Sequence, residues 1–257
     1  MSGVIPVLLY HSVADRSQAA ADRYAVSSAA FEAHADAVRA SGRVPMLITE
    51  LAAGLRGERP LPERSVAVTF DDGFADNYDA VHSLSSRGLR STVYVTSSEV
   101  GAPNRLSPSA LAELAHLASV EVGAHAVHHR RLDELDDREL LDEIRVSKAQ
   151  LEDLTQIAVR SFAYPHGAYD RRVRDAVIRG KYGSAAAVKN ALSHPADDPF
   201  AIARWTVTAG TPASRIAKIL DGQGVPRAWG HERLRTRAYR TARRGRRRVV
   251  RTLGADR

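Results

Sequence analysis

The sequence predicts a parallel α/β barrel in a single domain, followed by a basic tail. Three observations carry that expectation. Short apolar or β-branched runs alternate with helical periodicity, which implies parallel strands joined by right-handed crossovers. The first run, Val4-Ile5-Pro6-Val7-Leu8-Leu9-Tyr10, is almost wholly apolar, as suits a strand covered on both faces. A chain of 257 residues, 44% of them hydrophobic, can also bury one substantial core. The domain is expected over residues 1–226 and the tail over 227–257.

The elements follow in order. After the first strand, Asp15 to Ser27 reads as a polar loop, and Phe31, Ala35 and Val38 mark a helix from about Ala29 to Ser41 that Gly42 stops. Val44 to Ile48 is expected as a short strand, Thr49-Glu50-Leu51 as the start of a short helix, and Gly54 to Glu63 as loop. The alternating run Ser65-Val66-Ala67-Val68-Thr69-Phe70 is a buried strand with Asp71-Asp72-Gly73 at its tip. A helix from Asp76 to Leu84, closed by Gly88, leads to the β-rich Ser91-Thr92-Val93-Tyr94-Val95. Ser107-Pro108 caps a helix reaching about Ala118, and Val120 to Ala124 alternates into His125. Asp136 to Leu154 is an amphipathic outer helix. Ser161 to Pro165 is a short strand stopped by proline, Asp170 to Ile178 a helix, and Tyr182 to Val188 a weak strand. Phe200 to Val207 is the last strand, and Pro212 to Leu220 the last helix before a Gly222-Gln223-Gly224 hinge.

Composition narrows the function classes. There is no cysteine, which excludes a disulfide framework and a thiolate metal site. The formal charge of +7 resides in the tail: residues 227–257 hold 12 arginines against Glu232 and Asp256, and the other 226 residues carry 25 basic and 28 acidic side chains. The chain enters strand-like sequence at Val4 and no apolar run approaches a membrane span, so a cytoplasmic protein is expected. The tail reads first as a flexible appendage and next as a contact for an anionic membrane surface or polyanionic glycan. Nucleic acid comes third, because no reading motif accompanies the charge.

Chemistry-bearing residues gather at strand ends. Asp71 and Asp72 are adjacent, so their side chains diverge and one can hold a metal while the other handles a proton, although Asp-Gly also favours a plain turn. His125 and His129 are four apart, a spacing that puts both imidazoles on one face of a helical turn. His11, His166 and Arg204 also follow or end strands. In a parallel barrel the C-terminal strand ends converge on one face, so these residues are expected to meet there. One carboxylate with two imidazoles suits Zn²⁺ or a similar first-row divalent ion and leaves coordination positions open.

Thr69-Phe70-Asp71-Asp72-Gly73, His125-Ala126-Val127-His128-His129 and Phe162-Ala163-Tyr164-Pro165-His166-Gly167 resemble the first three motifs of the polysaccharide deacetylase (NodB-homology) family. The resemblance implies a distorted (β/α)7 barrel, with Asp71 as general base and Asp72, His125 and His129 holding one divalent ion, Zn²⁺ foremost and Co²⁺ or Ni²⁺ next. It implies hydrolysis of an acetamido group on an N-acetylhexosamine in a glycan or glycoconjugate, the backbone N–H of His166 serving the oxyanion.

Leu8-Leu9-Tyr10-His11-Ser12-Val13 resembles the opening of a circularly permuted branch that includes deacetylases of poly-N-acetylglucosamine. There His11 would supply the acid that other members take from a late Leu-x-His motif, which is missing after Arg204. Three positions depart from the family pattern. Ala126 replaces a Ser or Thr, His166 replaces a Tyr or Phe, and Ala163 stands where many members have an Arg that holds the catalytic Asp, a role for which Arg204 is the substitute. The rival readings are an O-acetyl esterase or other amide hydrolase on the same fold, and a degenerate glycan-binding or membrane-adaptor protein.

Overall fold

A computed structural model of the chain describes residues 3–14 and 23–229. Its strands, in chain order, are β1 (Val7–Tyr10), β2 (Ser12–Val13), β3 (Ala25–Val26), β4 (Val44–Pro45), β5 (Ser65–Phe70), β6 (Ser91–Val95), β7 (Val120–Ala124), β8 (Ser161–Ala163), β9 (Ser184–Val188) and β10 (Ile202–Thr206). Seven of them, β1 and β5 to β10, close into a parallel ring. Closure falls on β1, which pairs with β5 from Val7↔Ala67 to Tyr10↔Phe70 and with β10 at Leu8↔Trp205 and Leu9↔Thr206. All four β1 residues are buried, so the apolar run at the start of the chain reflects a strand with neighbours on every side.

The ring is a distorted (β/α)7 barrel. Strand β8 has three residues and meets β7 at the single register pair Ala124↔Phe162. Helices Ser28–Ala40, Asn77–Ser86, Pro108–Ala115, Asp137–Thr155, Arg171–Arg179 and Ala213–Leu220 alternate with the strands and bury one apolar stripe each. Their starts are encoded locally. Ser27, Ser107 and Asp170 accept hydrogen bonds from the backbone N–H three residues on, and Asp136 with Glu139 forms a reciprocal capping box. The short helix Ile48–Leu55 packs Ile48, Leu51 and Ala52 into one buried cluster with Ile5, Val7, Ala67, Ala186 and Ile202.

Small side chains leave room for large ones in that cluster. Ala67, Ala163 and Ala186 line it beside Tyr94, and a Cβ on Gly123 would lie 2.6 Å from the Tyr94 ring. The Arg204 guanidinium lies over the same ring, 5.3 Å from its centroid. The packing therefore carries a buried cation to the upper end of β5.

Three expectations shift. The strand foreseen at Val44 to Ile48 stops at Pro45, because Glu50 Oε2 takes the Leu47 N–H and a helix begins at Ile48. The end of the Asp15 to Ser27 loop, Ala25–Val26, pairs in parallel with Ser12–Val13, a ribbon too short for periodicity to reveal. At the C-terminus, Leu192 N–H donates to Pro226 O and Ala228 N–H to Leu192 O, so the first residues after the domain boundary foreseen at 226 pack back on the barrel. The rest of the tail, and with it the membrane contact expected there, lies outside the described residues. Among the described residues no helix is long and apolar enough to cross a membrane.

Candidate active site and metal centre

The two aspartates separate as soon as β5 ends. Asp71 N–H donates to Tyr10 O at 2.9 Å, a last ladder bond that keeps its side chain in strand alternation and pointing inward, 2% exposed. Asp72 then adopts φ 72°, a left-handed conformation that Asp tolerates better than most residues. Arg105, braced by Glu99 at 2.6 Å, donates to the Asp72 carbonyl at 3.3 Å and supports that turn.

Arg204 on β10 grips Asp71 from inside the barrel. Its Nη1 lies 2.6 Å from Oδ1 and its Nη2 2.8 Å from Oδ2, a bidentate pair with no solvent exposure at the arginine. Nη1 also reaches Thr69 Oγ1 at 3.2 Å. Burial by itself drives the Asp71 carboxyl up, but the Arg204 guanidinium overrides it and holds the pKa at about 2. Asp71 is therefore a fixed carboxylate at any physiological pH. Asp72 is left with the opposite balance: burial and the Asp71 charge push it up to about 6.

His125 and His129 face Asp72. His125 Nε2 is 3.4 Å and His129 Nε2 3.3 Å from Asp72 Oδ1, and no hydrogen bond reaches that buried oxygen. His125 Nδ1 donates to the Ala163 carbonyl at 2.8 Å, which leaves the lone pair on Nε2. Burial pushes His125 down to about 3 and lowers His129 as well, so both imidazoles are held neutral, as ligands must be. An orphaned carboxylate oxygen between two neutral imidazole nitrogens, all three ligand atoms within 4.8 Å of one another, fits a divalent cation.

The i, i+4 spacing works differently from the helical turn foreseen. Residues 125–129 form an irregular loop with Ala126 at φ 63° and His129 at φ 52°, and the imidazoles converge without a helical turn between them. Ala163 contributes its carbonyl to His125 in place of a side chain. His166 sits left-handed at φ 58° in the turn Pro165–Gly167, its Nε2 donating to His129 O at 3.1 Å and its ring 4.3 Å from that of His129. Gly167 is required there, since a Cβ would meet Val188 Cβ at 2.9 Å.

His11 follows β1 on the same rim. Its ring packs 4.8 Å from Tyr24, its Nδ1 is buried without a hydrogen bond, and its carbonyl accepts from Asn77 Nδ2 at 2.7 Å. Ser12 Oγ donates to Asp76 Oδ2 at 2.6 Å. The structure thus brings His11, Asp71, Asp72, His125, His129, His166 and Arg204 to one end of the barrel. Sequence reading missed Asp76, Asn77 and Arg105. They lie three and four residues beyond the Asp-Asp-Gly turn or in a loop with no periodicity, where polar residues are the norm, so nothing in the sequence sets them apart.

Two outcomes follow from this electrostatic division. Removing one partner of the buried pair strands a charge, at a cost of about 3–5 kcal/mol, while removing both leaves none. Chemical denaturation should therefore find Asp71→Asn and Arg204→Met each strongly destabilised and the double variant more stable than either. In the ion-free protein, Asp72 has a raised pKa, so its contribution is complete below 3.8 and is lost as pH rises through about 6. The stability of ion-free Asp72→Asn relative to wild type should rise by about 3 kcal/mol between about pH 4 and pH 8, and bound zinc should abolish that trend in the wild type.

Residues 58–183 match the model of the family described as Polysaccharide deacetylase. The chain is 24% identical over 219 residues to YxkH of Bacillus subtilis (strain 168), a candidate polysaccharide deacetylase, covering 84% of this chain and 76% of that one. Streptococcus pyogenes deacetylase PplD, solved in complex with acetate, superposes with a TM-score of 0.78 at 19% identity over 86% of this chain and 99% of its own. A de-N-acetylase from Aggregatibacter actinomycetemcomitans does so with a TM-score of 0.72 at 18% identity, over 84% and 99%. Sequence match, barrel topology and the Asp-Asp-Gly and His-x-x-x-His motifs agree: the chain carries a domain of the polysaccharide deacetylase (NodB-homology) family.

Proposed function

We propose that the protein is a metal-dependent hydrolase that removes the N-acetyl group from an N-acetylhexosamine in a glycan or glycoconjugate. The observation that carries this reading is the unpartnered Asp72 Oδ1 between His125 Nε2 and His129 Nε2, beside an Asp71 locked as a carboxylate. Family membership supplies the deacetylase chemistry, and the similarity to a de-N-acetylase favours the amide over the ester.

Asp72, His125 and His129 would hold the ion, which when bound supplies a Lewis acid for the acyl carbonyl and lowers the pKa of water at the site. Zinc suits one carboxylate with two imidazoles, and Co²⁺ or Ni²⁺ fits the same donors. Asp71 takes the proton of the attacking water. Arg204 fixes its orientation and keeps it unprotonated, at some cost in basicity. The backbone N–H of His166 donates to the tetrahedral oxyanion. His11 protonates the departing sugar amine, which would otherwise leave as an impossibly basic anion. Its Nδ1 is buried without a hydrogen bond on the rim that carries both aspartates, which fits that place. The Arg-rich tail would add attraction to an anionic surface carrying the substrate.

The purified protein should release acetate from N-acetylglucosamine oligosaccharides, lose that activity on chelation and regain it with Zn²⁺, Co²⁺ or Ni²⁺. His11→Ala should lower kcat on the acetamido sugar by about 10²–10⁴-fold. It should affect 4-nitrophenyl acetate far less, because a phenolate departs without a proton. Equal losses on both substrates would remove His11 from the acid role, and metal-independent release would remove the ion.

A further inference from the structure

The long helix Asp137–Thr155 buries a stripe of Leu140, Ile144, Ser147, Leu151 and Thr155, and in the same stripe lies Glu143, 3% exposed. A carboxylate so placed needs partners. It finds three of them on one loop. Oε2 accepts the N–H of Val127 at 2.8 Å and of His128 at 2.9 Å, and Oε1 accepts from His128 Nδ1 at 2.9 Å. These residues lie between His125 and His129.

The carbonyls of the same loop are also taken. Ser97 N–H donates to Ala126 O at 3.2 Å and Ser98 N–H to Val127 O at 3.1 Å, joined by the Ser98 hydroxyl. What these bonds hold is an unfavourable backbone, with Ala126 and His129 both left-handed and neither a glycine. Such a conformation persists only when its surroundings over-determine it. Ala126 brings no hydroxyl of its own, and while the Ser97-Ser98 turn takes the loop's carbonyls, the carboxylate of Glu143 takes its N–H groups.

We propose that Glu143 is a positioning residue for the metal centre: by fixing the N–H groups of Val127 and His128 it sets the loop so that both imidazole Nε2 atoms face Asp72 Oδ1. The inference rests on the metal-site reading of Asp72, His125 and His129. It concerns the affinity of the site rather than any step of the reaction.

Zinc titration of the full chain, with the visible absorption of the Co²⁺ form as a second readout, tests it. Glu143→Ala should bind zinc about 10–100-fold more weakly and change the Co²⁺ spectrum. Glu143→Asp, which keeps the charge but withdraws it from the loop, should do the same and serves should the alanine variant fail to fold. Glu143→Gln keeps an oxygen for both backbone N–H groups, and its amide can donate to His128 Nδ1 once that ring shifts its proton to Nε2. It should therefore bind within about threefold of wild type, as should His128→Ala, which leaves both backbone bonds intact. Wild-type zinc affinity in Glu143→Ala or Glu143→Asp overturns the proposal, and so does a Glu143→Gln variant as weak as Glu143→Ala. A wild-type protein that binds no zinc overturns the metal-site reading and this inference with it.

Discussion

Two neighbouring carboxylates can do different chemistry only if something makes their environments differ, and here that something is the buried bidentate pair between Arg204 and Asp71. An isolated carboxylate at 2% exposure would be protonated rather than charged. Arg204 reverses that outcome for Asp71, and the resulting fixed charge raises Asp72, which then lacks any hydrogen-bond donor of its own on Oδ1. The same pair thus keeps one residue charged and leaves the other with a raised pKa and an unpartnered oxygen. Small side chains around Tyr94 make space for the guanidinium, so the division of labour at the rim depends on the packing of the barrel interior.

Closure of the ring by β1 is the second constraint. Because this strand pairs with β5 on one side and β10 on the other, residues that follow it emerge between the Asp71 strand and the Arg204 strand. His11 is thereby delivered to the rim from the start of the chain. The loop behind it is fastened to the residues after the Asp-Asp-Gly turn, through Asn77 to the His11 carbonyl and Asp76 to Ser12. A histidine supplied from either end of the chain could reach this place, since the first and last strands are neighbours.

Most of the site was legible because polar residues at the ends of apolar strands stand out. Asp71, Asp72 and His125 interrupt runs whose burial is encoded in their side chains, and Arg204 is the one charge inside the final strand, where an unpaired cation would be costly. The barrel could be read for the same reason, from apolar strands alternating with amphipathic helices. The loop between His125 and His129 was not legible, because a four-residue spacing is shared by a helical turn and by an irregular loop, and no glycine announces the left-handed Ala126. Glu143 was hidden differently. It falls on the apolar stripe of a helix rich in exposed acids, and only the tertiary fold distinguishes the one that turns inward.

If the proposed function holds, Asp71 stays with Arg204 while Asp72 goes to the ion. Crystals of the zinc-loaded protein, measured at the zinc absorption edge, test it most directly. One anomalous peak should appear, bonded to Asp72 Oδ1, His125 Nε2 and His129 Nε2, with Asp71 still paired to Arg204. A peak ligated by Asp71, or none among these three side chains at saturating zinc, would contradict it.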